Sequence, residues 1–206
     1  MLNRRTLLAA AGFSLSLLMM SPVRADTNDG ARQFIQKLAD TAMSTVAVKG
    51  LSDEERADRF RMLFVDAFDL PEIAKLVLTR YWRVATPEQR SEFLKLFEDI
   101  QVYTWTRRFK DYSGETLDIF GVAPEGEGDL QVDSQIRRHQ QPPINVAWRV
   151  RGANAGFHVI DIKVEGASMA FTHRSEYAAV IQRSGGDFGG LLDVMRQKLA
   201  ELRVQP

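Results

Sequence analysis

The sequence predicts an α+β fold in which helices pack on one face of a twisted, mainly four-stranded antiparallel sheet and enclose an apolar cavity. Two changes of periodicity predict it. Apolar residues recur every three or four positions up to Gly114, alternate every second position to about residue 164, and then return to helical spacing. Helices before and after a run of strands are typical of an α+β domain. A twisted sheet curls into a cone that helices can cover, and the space between them is a natural apolar cavity.

Two helices are predicted before residue 70. The first has a single apolar stripe with helical spacing, formed by Ala31, Phe34, Ile35, Leu38, Ala42 and Val46. Ser52 and Glu55 make a capping box, in which each side chain accepts a backbone N–H bond from the other residue, and this box starts the second helix. The face of that helix is rich in aromatic rings and holds Phe60, Leu63, Phe64, Ala67 and Phe68.

Two more helices are predicted before the strands. One begins near Pro71, because proline fits the first helical turn, and its apolar side holds Ile73, Leu76 and Val77. The other has the clearest start signal in the chain: Thr86 caps the helix, Pro87 occupies the first turn and Gln89 completes a capping box. Its apolar stripe comprises Phe93, Leu96, Phe97 and Ile100 and continues towards Trp105 and Phe109.

Four segments with alternating apolar residues predict the strands of an antiparallel meander. They are "ETLDIFGV", "LQVDSQI", "INVAWRV" and "HVIDIKV", and short turn-forming segments separate them. Alternation in the last of these places Ile160, Ile162 and Val164 on one face. Two helices, at residues 171–184 and 187–203, then close the chain, and the expected apolar contacts of the first are Phe171, Tyr177, Val180 and Ile181. Gly185 and Gly186 are expected to end the first of them, and Asp187 to cap the second.

Residues 1–25 are predicted to be an export signal. Arg4 and Arg5 precede an apolar run that is too short to span a bilayer comfortably, and Val23 and Ala25 fit a signal peptidase site with cleavage after Ala25. The paired arginines leave both the general secretory and the twin-arginine routes open. Cleavage leaves 206 − 25 = 181 residues, expected to form one domain at 26–206, with 24 basic and 27 acidic residues and a net charge of 24 − 27 = −3. This balance does not favour nucleic acid as a partner.

Polar residues near position 173 are the first candidates for catalysis. The three histidines, His139, His158 and His173, lie far apart in sequence and fit no metal-binding spacing. Ser175 lies outside a G-x-S-x-G motif, and "SGGDFGG" lacks the Gly-Lys-Ser/Thr end of a phosphate-binding loop. We therefore expect no catalytic and no metal site. A periplasmic hydrolase stays a less favoured alternative, with His173, Ser175 and Glu176 as its best candidates.

Two long segments carry a resemblance to a known family. The order of elements from "FDLPEIAKLVLTRYWRVATPEQRSEFLKLFEDI" through the strands to "DIKVEGASMAFTHRSEYAAVIQRSGGDFGGLLDVMRQKL" resembles the MlaC family, also called toluene-tolerance or auxiliary ABC-transport proteins. The resemblance covers about residues 34 to 203. Residues 82–89 resemble the family's helix junction, and residues 166–177 resemble its connection from the last strand to the closing helices.

The resemblance implies a role, a location and partners. It implies a monomeric periplasmic carrier of phospholipid in Gram-negative bacteria, with bound lipid as its ligand, no other cofactor and no catalysis. The implied partners are an outer-membrane lipoprotein complex and an inner-membrane ABC transporter with an MCE-domain ring, which together maintain outer-membrane lipid asymmetry. A branch of the same family occurs in hopanoid biosynthesis loci, so hopanoids or other lipids stay open as ligands.

A lipid carrier needs an apolar pocket, because exposing about 30 methylenes to water costs on the order of 20 kcal/mol at roughly 0.8 kcal/mol each. The expected lining is the inward sheet face with apolar residues of the helices: Phe64, Phe68, Leu76, Tyr81, Phe97, Tyr103, Trp105, Val132, Ile136, Val146, Trp148, Ile160 and Ile162. Each of them fits a packed core as well as a pocket wall. Arg174 either meets a phosphate at the pocket mouth or, as the preferred expectation, pairs with Glu176 or another carboxylate.

Overall fold

A computed structural model describes residues 23–126, 128–153 and 156–204. It has the predicted α+β fold, with helices packed on a twisted antiparallel sheet. The predicted export signal lies outside these residues, except for its last three positions, which begin the first helix. Among the described helices, none combines the length and apolar character needed to cross a bilayer.

Four helices and one π-helical turn precede the long helix of the structure. Helix α1 spans Val23–Thr41 and continues into a π-helical turn at Ala42–Val46. Helix α2 spans Asp53–Ala67, helix α3 spans Leu70–Leu78 and helix α4 spans Arg80–Val84. The Ser52–Glu55 capping box at the start of α2 is present as predicted. The sequence did not reveal the break between α3 and α4, where Thr79 has a φ of 49°.

The long helix and the two closing helices follow the sequence prediction. Helix α5 spans Pro87–Lys110 and begins with the predicted capping box of Thr86 and Gln89. Helices α6 and α7 span Met169–Arg183 and Phe188–Val204. Gly185 and Gly186 have positive φ values after α6, as expected for a helix end, and Asp187 accepts a hydrogen bond from the N–H of Gly189 at 2.9 Å.

The sheet is an antiparallel meander in the order β1-β2-β3-β4-β5. Its strands are Thr116–Glu125 (β1), Asp129–Arg138 (β2), Gln141–Ala153 (β3), Gly156–Val164 (β4) and the two-residue Ala167–Ser168 (β5). The first four are the predicted strands, and β5 adds a short edge. The β3–β4 register shifts between Arg149 and Val150. Because of this bulge, Val159 pairs with Val150. Strict alternation along β4 had predicted Ile160 at that position.

Helices cover the sheet unequally. Helix α1 lies across the apolar face, where Ala31 and Ile35 pack against Val132, Val150 and Val159. Helices α3 and α6 reach the polar face, because Glu72 of α3 pairs with Arg151 at 2.7 Å and Asp161 of β4 accepts the N–H of Ala170 at 2.9 Å. The main core lies among helices α2 to α7, and Phe68 packs against both this core and the cluster beneath α1.

Candidate functional site

The cluster between α1 and the sheet, here called the apolar layer, is only partly closed. Five of its residues are buried: Ala31, Ile35, Val132, Val150 and Val159. Ten others keep some exposure: Phe34, Leu38, Phe68, Leu117, Ile119, Val122, Leu130, Trp148, Phe157 and Ile162. In the helical core the balance is reversed, with twenty buried and twelve partly buried residues. The apolar layer therefore has a larger share of partly exposed residues than the helical core.

Helix α1 approaches the sheet closely at one glycine. A Cβ added at Gly30 would lie 2.8 Å from Cε2 of Phe157, so the ring occupies the space that a side chain would need. One polar contact also ties α1 to strand β1, because a guanidinium nitrogen of Arg32 donates to the carbonyl of Ile119 at 2.8 Å. Apolar packing thus provides most of the contact between α1 and the sheet, as expected for a helix that covers an apolar site.

Two arginines of α2 hold the other end of α1. Arg56 is 5% exposed, and its guanidinium donates to the carbonyls of Val46 and Val48, the latter at 3.1 Å. Arg59 donates to the carbonyl of Thr45 at 3.2 Å. These carbonyls lie at the end of the π-helical turn, where no further helical N–H is in line to bind them. The arginines therefore anchor the C-terminal end of α1 and its π-helical turn to the helical core.

Paired residues on the apolar face of strands β2, β3 and β4 form rows across the sheet, numbered here along β2. Row one is Leu130, Val150 and Val159, and row two is Val132, Trp148 and Ile162. Row three is Ser134, Val146 and Val164, and row four is Ile136 and Ile144. On these three strands, all members of rows one and two belong to the apolar layer, whereas those of rows three and four do not. On β1, Ile119 opposite Ser134 and Leu117 opposite Ile136 extend the layer along rows three and four.

The structure does not bring the predicted lining residues together in one place. The apolar layer contains Phe68, Val132, Trp148 and Ile162. The helical core contains Phe64 and Phe97, with Tyr81, Tyr103 and Trp105 packed against it. Ile136 and Val146 lie on the same sheet face as the layer but outside it, Ile160 lies at the β4 bulge, and Leu76 lines a cleft on the polar face.

Several residues of the apolar layer were missing from the predicted lining. Strand β1 contributes Leu117, Ile119 and Val122, and α1 contributes Phe34 and Leu38. The α1 stripe was recognised as an apolar helix face without being assigned to the site. In β1 a register shift between Ile119 and Gly121 interrupts the alternation, so the face of Val122 does not follow from simple counting.

The polar face of the sheet has a charged network and a cleft of about 440 Å³. The Asp129 side chain is 0% exposed and pairs with Arg149 and Arg151, each at 2.6 Å. Burial opposes ionisation of this carboxyl, but hydrogen bonds from Arg151 and Arg149 outweigh burial and hold the pKa of Asp129 below its usual range. The network joins β2 to β3, and Arg151 extends it to Glu72 of α3.

The polar residues of α6 make contacts within or near their own helix. The hydroxyl of Ser175 donates to the carbonyl of Phe171 at 3.1 Å. The ring of His173 stacks on Tyr177 with 5.5 Å between centroids, and its Nδ1 lies 3.2 Å from an oxygen of Glu176. Ser175 and Glu176 are exposed on the helix surface, and only the ring of His173 packs against a neighbour. In the described part of the chain, no three histidine, aspartate, glutamate or cysteine side chains are grouped as candidate metal ligands.

Two expectations for this helix were wrong. Arg174 was expected to pair with a carboxylate, but its Nε donates to the carbonyl of Leu76 at 3.2 Å, because α6 packs beside the end of α3. Phe171 was expected to make apolar contacts along with Tyr177 and Ile181, but it is 63% exposed. Position 171 lies in the first turn of α6, over the cleft on the polar face, rather than on the side that enters the core.

A partly exposed apolar layer between a helix and a sheet offers the kind of surface that binds an apolar ligand. The sequence profile of the MlaC protein family matches residues 32–197, and the chain belongs to that family. The fold is similar to that of a phospholipid-binding protein from Ralstonia solanacearum, whose structure was solved in complex with a phospholipid. The two chains share 21% sequence identity with a TM-score of 0.75, and the match covers 86% of this chain and 98% of the other.

Proposed function

We propose that this protein is a periplasmic lipid carrier that holds the acyl chains of a phospholipid in the apolar layer beneath α1. The observation that carries this proposal is the incomplete closure of that layer, in which ten apolar residues keep some exposure while α1 already covers the sheet. Contiguous exposed apolar surface is a common mark of a binding site. An acyl chain would fill the remaining apolar surface.

Hydrophobic transfer makes the role physically consistent. Each methylene removed from water contributes about 0.8 kcal/mol, so a lipid cannot cross an aqueous compartment at a useful rate unless its chains are covered. The lipid leaves one hydrocarbon medium for another, so its net transfer free energy can be small. Direction must then come from docking to a partner or from ATP hydrolysis in a partner.

Family membership supports the finer parts of the proposal. MlaC proteins are generally periplasmic, in agreement with the predicted export signal at residues 1–25, and the Ralstonia protein of similar fold was solved with a phospholipid. We propose that the carrier shuttles phospholipid between an outer-membrane lipoprotein complex and an inner-membrane ABC transporter with an MCE-domain ring. Hopanoids are the alternative cargo within the same family.

Lipid mass spectrometry tests the proposal. The processed protein, purified from periplasm without detergent, is extracted with organic solvent and the extract is analysed. We expect about one lipid molecule per protein, and the identity of that lipid distinguishes phospholipid from hopanoid. Protein that carries no lipid under these conditions, and takes none from vesicles, contradicts the proposal.

The hydrolase alternative has its own test. If His173, Ser175 and Glu176 only stabilise α6, their simultaneous replacement by alanine leaves lipid binding and the outer-membrane permeability barrier of the cell unchanged. Loss of the barrier by a triple variant that still folds and still binds lipid would favour an enzyme instead. The hydrogen bond of Ser175 to Phe171 and the stacking of His173 on Tyr177 favour the first outcome.

A further inference from the structure

A serine interrupts the apolar face of strand β2. The residues of β2 that point towards the apolar face are Leu130, Val132, Ser134 and Ile136. Ser134 is 1% exposed, so its hydroxyl is buried at a position where the alternation calls for an apolar side chain. A buried hydroxyl is tolerated only if hydrogen bonds satisfy it, and its partners show what it does here.

Both hydrogen bonds of the Ser134 hydroxyl involve strand β3. Its hydroxyl donates to the carbonyl of Val146 at 2.8 Å and accepts the indole N–H of Trp148 at 3.0 Å. Trp148 belongs to row two, but Ser134 belongs to row three, so the indole leans along the sheet from its own row over the next one. The small serine side chain leaves room for the ring, and its oxygen fixes the ring in one orientation.

On strands β2 to β4 the apolar layer ends at this indole, while β1 continues the layer through Ile119, opposite Ser134, and Leu117, opposite Ile136. Rows one and two lie in the layer, whereas Val146 of row three and Ile136 of row four lie on the same face outside it. Trp148 keeps some exposure, whereas its row-two neighbour Val132 is fully buried. The ring therefore stands where an acyl chain that follows β2 and β3 beneath α1 would stop.

We propose that Trp148, held by Ser134, is the end wall of the acyl site over strands β2 to β4 and sets the chain length that the protein accepts. This inference rests on the proposed function. Ser134 acts as a positioning residue, because it touches the indole and not the lipid. Removing the wall opens row three to the chain, and each added methylene that becomes covered raises affinity about fourfold, the equivalent of about 0.8 kcal/mol.

The test compares the lipids that variants extract from vesicles. Delipidated protein is incubated with phosphatidylethanolamine and phosphatidylglycerol vesicles of graded chain length, and the bound lipids are identified by mass spectrometry. Trp148→Leu shifts the bound distribution to longer chains by roughly two to four methylenes, because close packing favours filling of the vacated volume. Ser134→Ala broadens the distribution, because the indole loses the partner that fixes it.

Trp105→Leu is the matched control. Trp105 is also a partly exposed tryptophan with an indole hydrogen bond, to Gln101 at 3.3 Å, but it packs against the helical core. We expect its bound lipids to match those of the wild type. If Trp148→Leu fails to fold, Trp148→Phe takes its place, since phenylalanine removes the indole N–H with a smaller change of volume. We expect Trp148→Phe to broaden the distribution of bound chain lengths as Ser134→Ala does.

The outcomes separate the two proposals. Wild-type protein that takes up no lipid contradicts the proposed function. Variants at Trp148 and Ser134 that bind lipid with the wild-type chain lengths overturn only the end-wall inference. An equal shift caused by Trp105→Leu also overturns it, because the effect would then arise from loss of any large ring.

Discussion

A pair of leucines distinguishes a binding layer from a packed core. Leu38 on α1 is partly exposed within the apolar layer, and Leu94 on α5 is partly exposed against the helical core. We predict that Leu38→Asn weakens lipid binding, whereas Leu94→Asn does not. In the lipid-free protein the new amide at either position reaches water, so both substitutions reduce stability modestly, by about 1 to 3 kcal/mol.

The magnitude of the binding effect follows from what the lipid covers. A bound acyl chain removes water from the amide at position 38 and offers it no hydrogen bond, which costs about 2 kcal/mol. This free energy corresponds to roughly a thirty-fold increase in Kd. No lipid covers position 94, so the Kd of Leu94→Asn stays within about twofold of the wild type, the usual range for a surface substitution remote from the site.

The assay is titration of delipidated protein with a fluorescent phospholipid, with urea unfolding followed by circular dichroism as the measure of stability. Equal losses of stability with unequal losses of affinity are the expected pattern. Wild-type affinity in Leu38→Asn, or an equal loss of affinity in both variants, would refute the assignment of the lipid to the layer beneath α1.

Three further predictions concern the elements that hold the site. Gly30→Ala reduces the free energy of unfolding by about 1 to 2 kcal/mol, because overpacking against Phe157 exceeds the gain in helix propensity. Phe157→Leu in the same chain restores the lost free energy. Urea titration of the single and double variants measures both effects. Arg56→Met lowers the free energy of unfolding by about 1 to 3 kcal/mol, since it leaves carbonyls at the end of the π-helical turn without donors. A thermal melt of this variant that matches the wild type would contradict the prediction. Because the folded pKa of Asp129 is lowered, its ionisation stabilises the protein above about pH 4, and that stability is lost as the pH falls through the folded pKa. In Asp129→Asn, Tm is lower at neutral pH and falls less than the wild-type Tm below pH 4, whereas parallel Tm curves would argue against this role.

Local signals explain why much of the fold could be predicted. The capping boxes at Ser52 and Thr86 are each completed within three residues, so their hydrogen bonds depend on short sequence alone. Alternation in β2 and β3 likewise places Val132 and Trp148 on the same face, and the register pairs them directly. Such features need no information from distant parts of the chain.

The features that sequence did not reveal depend on tertiary contacts. The bulge in β4 replaces Ile160 by Val159 in the row of Val150, and a strand sequence contains no marker for that extra residue. Phe64 and Val132 are both buried apolar residues with regular spacing, yet one lies in the helical core and the other in the apolar layer. Periodicity identifies the buried face of an element but not the neighbour against which it packs.

The location of the acyl chain is the most direct test of this account. A phospholipid with a photoreactive diazirine near the end of one acyl chain is bound to the protein, irradiated, and mapped by peptide mass spectrometry. We predict labelling of α1 and of the β2 and β3 residues that line the apolar layer, with Trp148 among the labelled positions. Labelling confined to α5 and α7, within the helical core, would contradict it.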